Sequence, residues 1–332
     1  MPTRCLTIDP QLPDPSVIAE AAAILRRGGI VAFPTETVYG LGANALDGAA
    51  VRRIFAAKGR PANNPVIVHV TSSDAARQLA AEWPAPAERL AAQFWPGPLT
   101  MVVKKQPHVP DEVTAGGATV AIRCPQHPIA RALIDAAGVP LAAPSANASN
   151  RISATTAKHV LRTLDGRIDL VLDGGPAGGG LESTVVDVSV NPPRVLRPGL
   201  ISADALSAAL DMTVRTAEHA VVERGAAPSP GMLARHYAPL IPLEICPRGV
   251  ERAQELSASG QRVALVTHLP VAHSLPSVQV AILSNDPAGY ASRLYQTLYE
   301  LESSGIERIV VVTPPQSAEW AAIHDRLRRA SA

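Results

Sequence analysis

Aromatic side chains are scarce: three Phe, five Tyr and three Trp make up 3% of 332 residues, against 47% hydrophobic residues in all. The core therefore has to be built from Ala, Val, Leu and Ile, which suits helices packed on sheets. It also leaves little with which to stack single-stranded nucleic acid. Cysteine is rarer still. Cys5, Cys124 and Cys246 stand far apart without a Cys-x-x-Cys pair, which argues against a disulfide framework or a zinc ribbon and implies free thiols in a reducing compartment. No apolar run nears the ~20 residues that a bilayer span requires, and the first 14 residues have no basic segment followed by an apolar one. We expect a cytoplasmic protein with no membrane partner. A formal charge of +1 provides no broad field for nonspecific nucleic-acid binding, so any RNA contact has to be local or transient.

The commonest catalytic signatures are missing too. No Gly-x-x-x-x-Gly-Lys-[Ser/Thr] loop and no persuasive Gly-x-Gly-x-x-Gly after a strand occurs, so a Walker-type nucleotide site is not expected. His108, His127 and His159 form no His-x-x-x-His or His-Glu-x-x-His pattern, and no protein-borne metal site is predicted. Ser145 sits in no Gly-x-Ser-x-Gly elbow, which removes the serine-hydrolase alternative.

What is present is organised around Phe33-Pro34-Thr35-Glu36-Thr37-Val38-Tyr39-Gly40-Leu41-Gly42. The run over 29–33 is short and β-branched like a buried strand, and Pro34 stops it because proline has no ladder donor. A polar, glycine-bearing bend at a strand end is where α/β proteins place small molecules. Upstream, the spacing predicts a helix over 16–27, with Ser16 as N-cap and Gly28-Gly29 as the stop. Downstream, Asp47 caps a helix that runs to about Lys58 and into the turn Lys58-Gly59-Arg60-Pro61-Ala62-Asn63-Asn64-Pro65. A strand over 66–70 follows, so the basic turn and His69 lie at opposite ends of one extended segment.

Strands over 99–103, 119–123, 139–143, 168–172 and 194–197 follow, with helices near 73–82, 86–94, 129–137 and 156–164 in irregular order. The fold class is α/β: a twisted mixed sheet with flanking helices, then a smaller doubly wound parallel-sheet domain. The latter is predicted from strands over 243–246, 263–266, 278–283 and 309–313 alternating with helices over 250–257, 287–303 and 317–329. Composition puts a catalytic domain at 1–212, a linker at 213–240 and a small Rossmann-like domain at 241–332. Lys58, Arg60, Ser145, Asn147 and Arg197 have the right chemistry to hold phosphates from separate loops, although surface cations are usually just solvated. His69 reads as a pocket hydrogen-bonder or a satisfied core histidine.

Four motifs in order carry a resemblance: Pro34-Thr35-Glu36-Thr37-Val38-Tyr39-Gly40-Leu41; Lys58-Gly59-Arg60-Pro61 with Asn64-Pro65 and His69; Pro144-Ser145-Ala146-Asn147; and Glu182-Ser183-Thr184-Val185-Val186-Asp187. Together they resemble the YrdC-like threonylcarbamoyl-AMP synthases. Ser229-Pro230-Gly231-Met232 and His236-Tyr237-Ala238-Pro239 are similar to the interdomain linker of the family's longer, two-domain branch. The resemblance implies a nucleotidyltransferase that makes L-threonylcarbamoyladenylate and pyrophosphate from L-threonine, bicarbonate and ATP, with Mg2+ accompanying the nucleotide. It also implies partners that transfer the threonylcarbamoyl group to tRNA beside the anticodon. Carried over position by position, Thr37, His69, Arg123, Ala143 and Ser183 would face threonine. Arg60, Asn64, Thr119, Ser145, Asn147, Ser153, Arg197 and Tyr237 would face ATP, and Lys58 and Arg60 would be the catalytic cations. The linker with His236 and Tyr237 would act as a lid. Asn150, Ile152 and Ala154 depart from the glycine or proline common there, and Leu233-Ala234 from a Lys-Tyr pair. A hydrogenase-maturation carbamoyl-adenylate enzyme would also carry an acylphosphatase-like part and cysteine-rich zinc motifs, which this chain lacks. A non-enzymatic RNA-binding module is the other alternative, disfavoured by charge and aromatic content.

Overall fold

The computed structural model describes residues 2–216, 236–271 and 275–332. Most of the expected linker, including Ser229-Pro230-Gly231-Met232 and Leu233-Ala234, lies outside them. The chain forms two compact units: Met1–Ser149, Ala154–Gly178 and Glu182–Leu233 make the first, and Asn150–Ser153, Gly179–Leu181 and Ala234–Ala332 the second.

The first unit is built on β1 (Arg4–Thr7), β2 (Val31–Phe33), β3 (Gly40–Asn44), β4 (Ile67–His69), β5 (Leu99–Lys104), β6 (Thr119–Arg123), β7 (Leu141–Ala142), β8 (Leu170–Asp173), β9 (Thr184–Asp187), β10 (Arg194–Arg197) and β11 (Arg215–Thr216). They form one sheet in the order β1-β8-β2-β3-β7-β4-β6-β5-β9-β10-β11. Pairing is mixed, as expected: β4 is parallel to β6, while β5 is antiparallel to β6 and parallel to β9. Strand β3 was not foreseen. Its Gly-Leu-Gly-Ala-Asn sequence reads as loop, yet Gly42 is required, because a Cβ there would meet the Phe33 ring at 2.7 Å.

Alternation along the strands divides the apolar residues between the two faces. One face carries the main core, with Ala32, Leu41, Ala142, Val68, Ile122, Met101 and Val186 on β2, β3, β7, β4, β6, β5 and β9. On the other face, helices Pro15–Arg26 and Pro128–Ala137 cover the half bearing Val31, Phe33, Leu141 and Leu170. Over the remaining half, the same face carries a small apolar group, Ile67, Val102, Ala121, Val185 and Leu196. That half holds the polar residues described below.

Local chemistry accounts for the helix ends beside them. Helix Pro15–Arg26 starts one residue earlier than expected: Asp14, not Ser16, is the N-cap and accepts from the Ser16 amide. Pro15 has the φ of a first helical turn and no amide to satisfy, so the start moves upstream. Asp47 caps Gly48–Lys58 as foreseen, and Gly59 ends it with φ +61°. The left-handed residue turns the chain directly from Lys58 to Arg60.

The second unit contains β12 (Leu243–Cys246), β13 (Val263–Thr267), β14 (Val278–Ile282) and β15 (Arg308–Val312), all parallel, in the order β12-β15-β13-β14. Helices Gly249–Ala258, Pro287–Ser303 and Ala321–Ala330 accompany them. Residues 150–153 belong to this unit through hydrogen bonds: the Ala238 amide donates to the Asn150 carbonyl at 3.0 Å, and Tyr299 Oη to that of Ile152 at 2.8 Å. Arg151 pairs with Glu302 at 2.7 Å. Among the described residues no helix is long and apolar enough to cross a membrane.

Candidate active site

Register brings three polar side chains to one level of the sheet. His69 on β4 pairs with Arg123 on β6, and Arg123 pairs with Thr100 on β5. Paired residues share a face, so all three lie on the face opposite the main core. The guanidinium of Arg123 is buried and has a different partner for each nitrogen. Nε donates to the Gly97 carbonyl at 3.3 Å, Nη1 to Thr37 Oγ1 at 2.8 Å, and Nη2 forms an ion pair with Glu36 Oε1 at 2.8 Å. Burial pushes the Glu36 carboxyl up, but the charge and hydrogen bond of Arg123 outweigh it and hold the group below the usual carboxylate range. His69 is driven the other way: burial, then the neighbouring Arg123, lower it to about 3. Its ring is neutral at physiological pH, and Nδ1 has no hydrogen-bond partner among the described residues.

The bend after β2 fixes the direction of the hydroxyls. Thr35 Oγ1 lies 2.6 Å from the Val38 carbonyl, which can only accept, so Thr35 donates there. It therefore accepts from Thr37 Oγ1, 2.8 Å away, and Thr37 in turn accepts from Arg123. Just before β9, Ser183 Oγ lies 2.7 Å from Thr100 Oγ1 on the neighbouring β5. Arg197 clasps Ser183, with Nη2 donating to its Oγ at 3.1 Å and both Nε and Nη2 donating to its carbonyl.

A second group of polar residues gathers at the other end of β4 and β6. Lys58 Nζ donates to the carbonyls of Ser145 and Asn147, fixing their loop, while the Ser149 amide donates to the Lys58 carbonyl at 2.8 Å. Arg60 Nη2 donates to Asn64 Oδ1 at 2.6 Å and to the Pro65 carbonyl at 2.7 Å. Burial, then the charge of Arg60, pushes the Lys58 amine well below the ordinary lysine range. Lys58 and Arg197 are held by neutral carbonyls rather than by carboxylates, which leaves their charge for an incoming anion. Thr119 opens β6 and Arg123 closes it, so the two groups are separated by about 13 Å, four strand residues. Between them on the same face lie Ala121 on β6 and its partner Ile67 on β4.

Residues 23–199 match the model of the Sua5, YciO and YrdC family, described as telomere recombination, and residues 201–332 that of threonylcarbamoyl-AMP synthase, C-terminal domain. The chain is 41% identical to the threonylcarbamoyl-AMP synthase of Bacillus subtilis over 98% of its own length and 94% of that protein. The Pyrococcus abyssi threonylcarbamoyl-AMP synthase is also 41% identical, over 94% of this chain and 93% of that one. The solved structure of P. abyssi Sua5 complexed with L-threonine aligns with a TM-score of 0.91 at 38% identity, covering 99% of this chain and 98% of that chain. The chain belongs to the threonylcarbamoyl-AMP synthase family.

Both family models are present, so it is a member of the two-domain Sua5 branch of these nucleotidyl-transferring enzymes. In this Sua5 chain Thr37, His69, Arg123 and Ser183 lie around the first polar group. The Ala143 amide donates to the Ile67 carbonyl at 2.9 Å, which ties it to the same strand. Lys58, Arg60, Asn64, Ser145 and Asn147 form the second group, and Thr119 lies beside it through the pairing of β4 with β6. Arg197 stands instead with Ser183. Ser153 and Tyr237 belong to the second unit, where Tyr237 stacks on Tyr295 with ring centroids 6.1 Å apart and Arg326 lies 5.0 Å from its ring. Sequence reasoning assigned no role to Glu36, Thr35 or Thr100. The first two stand inside the organising motif, but only the three-dimensional pairing reveals what they bond.

Proposed function

We propose that this chain condenses L-threonine, bicarbonate and ATP into L-threonylcarbamoyladenylate, with release of pyrophosphate. The observation that carries this reading is the buried Arg123 fork beside neutral His69, set one strand length from the uncompensated Lys58. An amino-acid carboxylate would pair with Arg123, while the triphosphate would draw on Lys58 and Arg60. Thr37 and Ser183 would contact threonine, with Ala143 lining the same end. Asn64, Thr119, Ser145, Asn147 and Arg197 would contact the nucleotide, and we extend the same expectation to Ser153 and Tyr237.

The chemistry needs no covalent enzyme intermediate. The neutral amine of threonine attacks the carbon of bicarbonate, and loss of water leaves a carbamate. A carbamate oxygen then attacks the α-phosphorus, and the bond to the β-phosphate oxygen breaks with its electron pair, releasing pyrophosphate. Negative charge builds on phosphoryl oxygens, so fixed cations and positioning supply the acceleration. Among the described residues no group of three or more His, Cys, Asp or Glu could hold a metal. Mg2+ would come as the counter-ion of ATP, held by phosphate oxygens and water. The product is an activated acyl group of the kind a transferase places on tRNA, and we propose such machinery as the downstream partner.

Pyrophosphate release by the purified protein tests this, with L-threonine and bicarbonate omitted in turn and serine as control. Release should require both co-substrates and favour threonine. ATP untouched in every mixture would overturn the proposal.

A further inference from the structure

Glu36 is the carboxylate bonded to Arg123, and it is out of place if the role of Arg123 is to wait for the carboxylate of an amino acid. Both of its oxygens are buried, and besides Arg123 they face only the backbone amides of Glu36 itself and Gln126. A carboxylate has about four acceptor sites, so this one retains unused acceptor capacity at the threonine end of the site. An amino acid also brings an ammonium group, and burying that charge without a partner costs several kcal/mol. The other acceptors nearby cannot supply the missing charge. The Thr37 hydroxyl is already engaged by Arg123 and Thr35, and the His69 ring is neutral.

We propose that Glu36 is the recognition residue for the amino group of the substrate, an assignment that rests on the threonine reading above. In the empty site Glu36 balances Arg123. When threonine binds, its carboxylate takes Arg123 and its ammonium takes Glu36, so one buried pair becomes two and no charge is left alone. The site is thereby selective for a zwitterion: a carboxylic acid without the amine would displace Glu36 from Arg123 and offer it nothing in return.

The test is calorimetric binding of L-threonine and of its deaminated analogue, 3-hydroxybutanoate, to wild type, Glu36→Gln and Glu36→Asp, with melting curves to establish folding. Wild type should prefer threonine. Glu36→Gln should weaken threonine by about tenfold or more, as expected for loss of a charge-assisted contact, while 3-hydroxybutanoate holds its affinity or gains. Glu36→Asp should recover part of the preference. Equal losses for both ligands would make Glu36 a scaffold residue and overturn the assignment, as would tighter binding of both or no change in either. Threonine binding by wild type bears on the proposed function, whereas the amine preference of the variants bears on Glu36, so the two can fail separately.

Discussion

The hydroxyls of Thr35 and Thr37 lie 2.8 Å apart with their protons fixed in one direction, from Thr37 to Thr35 and on to the Val38 carbonyl. Thr35 also faces the amides of Thr37 and Val38 at 3.2 and 3.3 Å. Its hydrogen bonds among the described residues all go to Thr37 and Val38, and it acts by presenting Thr37 to Arg123. Thr35→Val keeps the shape and removes the acceptor. It should lower stability by roughly 1–3 kcal/mol, the cost of leaving buried partners unmade, and weaken threonine more than ATP. A urea titration and paired ligand titrations would measure both effects.

Arg123 spends its three nitrogens on three different groups, a geometry that a lysine ammonium cannot reproduce. Arg123→Lys keeps the charge, yet threonine affinity should fall by about 2 kcal/mol or more, as for truncation of a buried charged contact. ATP affinity should change much less. Calorimetry with each ligand alone would separate the two.

The depressed Lys58 amine predicts a proton effect. Bound phosphates would favour its charged form, so ATP binding should be accompanied by proton uptake across the pH range in which the free group titrates. Binding enthalpy measured in buffers of different ionisation heat would reveal it, and Lys58→Met should abolish the buffer dependence.

His69 is lowered to about 3, chiefly by burial and then by Arg123, and His159 to about 4, chiefly by burial and then by Arg162 and Lys158. Both groups favour the fold fully above the ordinary histidine value. As pH falls below about 6.5, the unfolded chain takes up protons that the folded chain refuses, and stability is lost towards those two lowered values. The loss is at most about 1.4 kcal/mol per pH unit for each group. Urea unfolding at stepped pH should show this slope, and His69→Asn should reduce it by one proton.

Much of this architecture was legible where local sequence decides structure. The β-branched runs ending in His69 and Arg123 are strands, Asp47 and Gly59 bracket a helix, and the 194–197 strand has the bounds expected. Strand β1 escaped notice because Arg4–Thr7 is mostly exposed and declares itself only by pairing with β8. Helix Ala203–Leu210 was not foreseen, although Ser202 caps it. The Glu36–Arg123 pair spans 87 positions, and no periodicity encodes it. The same is true of Thr100 beside Ser183, which depends on how β5, β6 and β9 are ordered in the sheet.

The bonds from Ala238 and Tyr299 back to residues 150–153 make the second unit a discontinuous object. Its sheet lies wholly after residue 242, but part of its fabric is delivered by a loop that emerges from the ribosome some 90 residues earlier. Synthesis therefore exposes the 150–153 segment before its partners exist, and the late unit completes itself on a template the early one has already presented. A cut at the linker would not separate two finished domains: it would leave one with a dangling loop and the other with missing masonry.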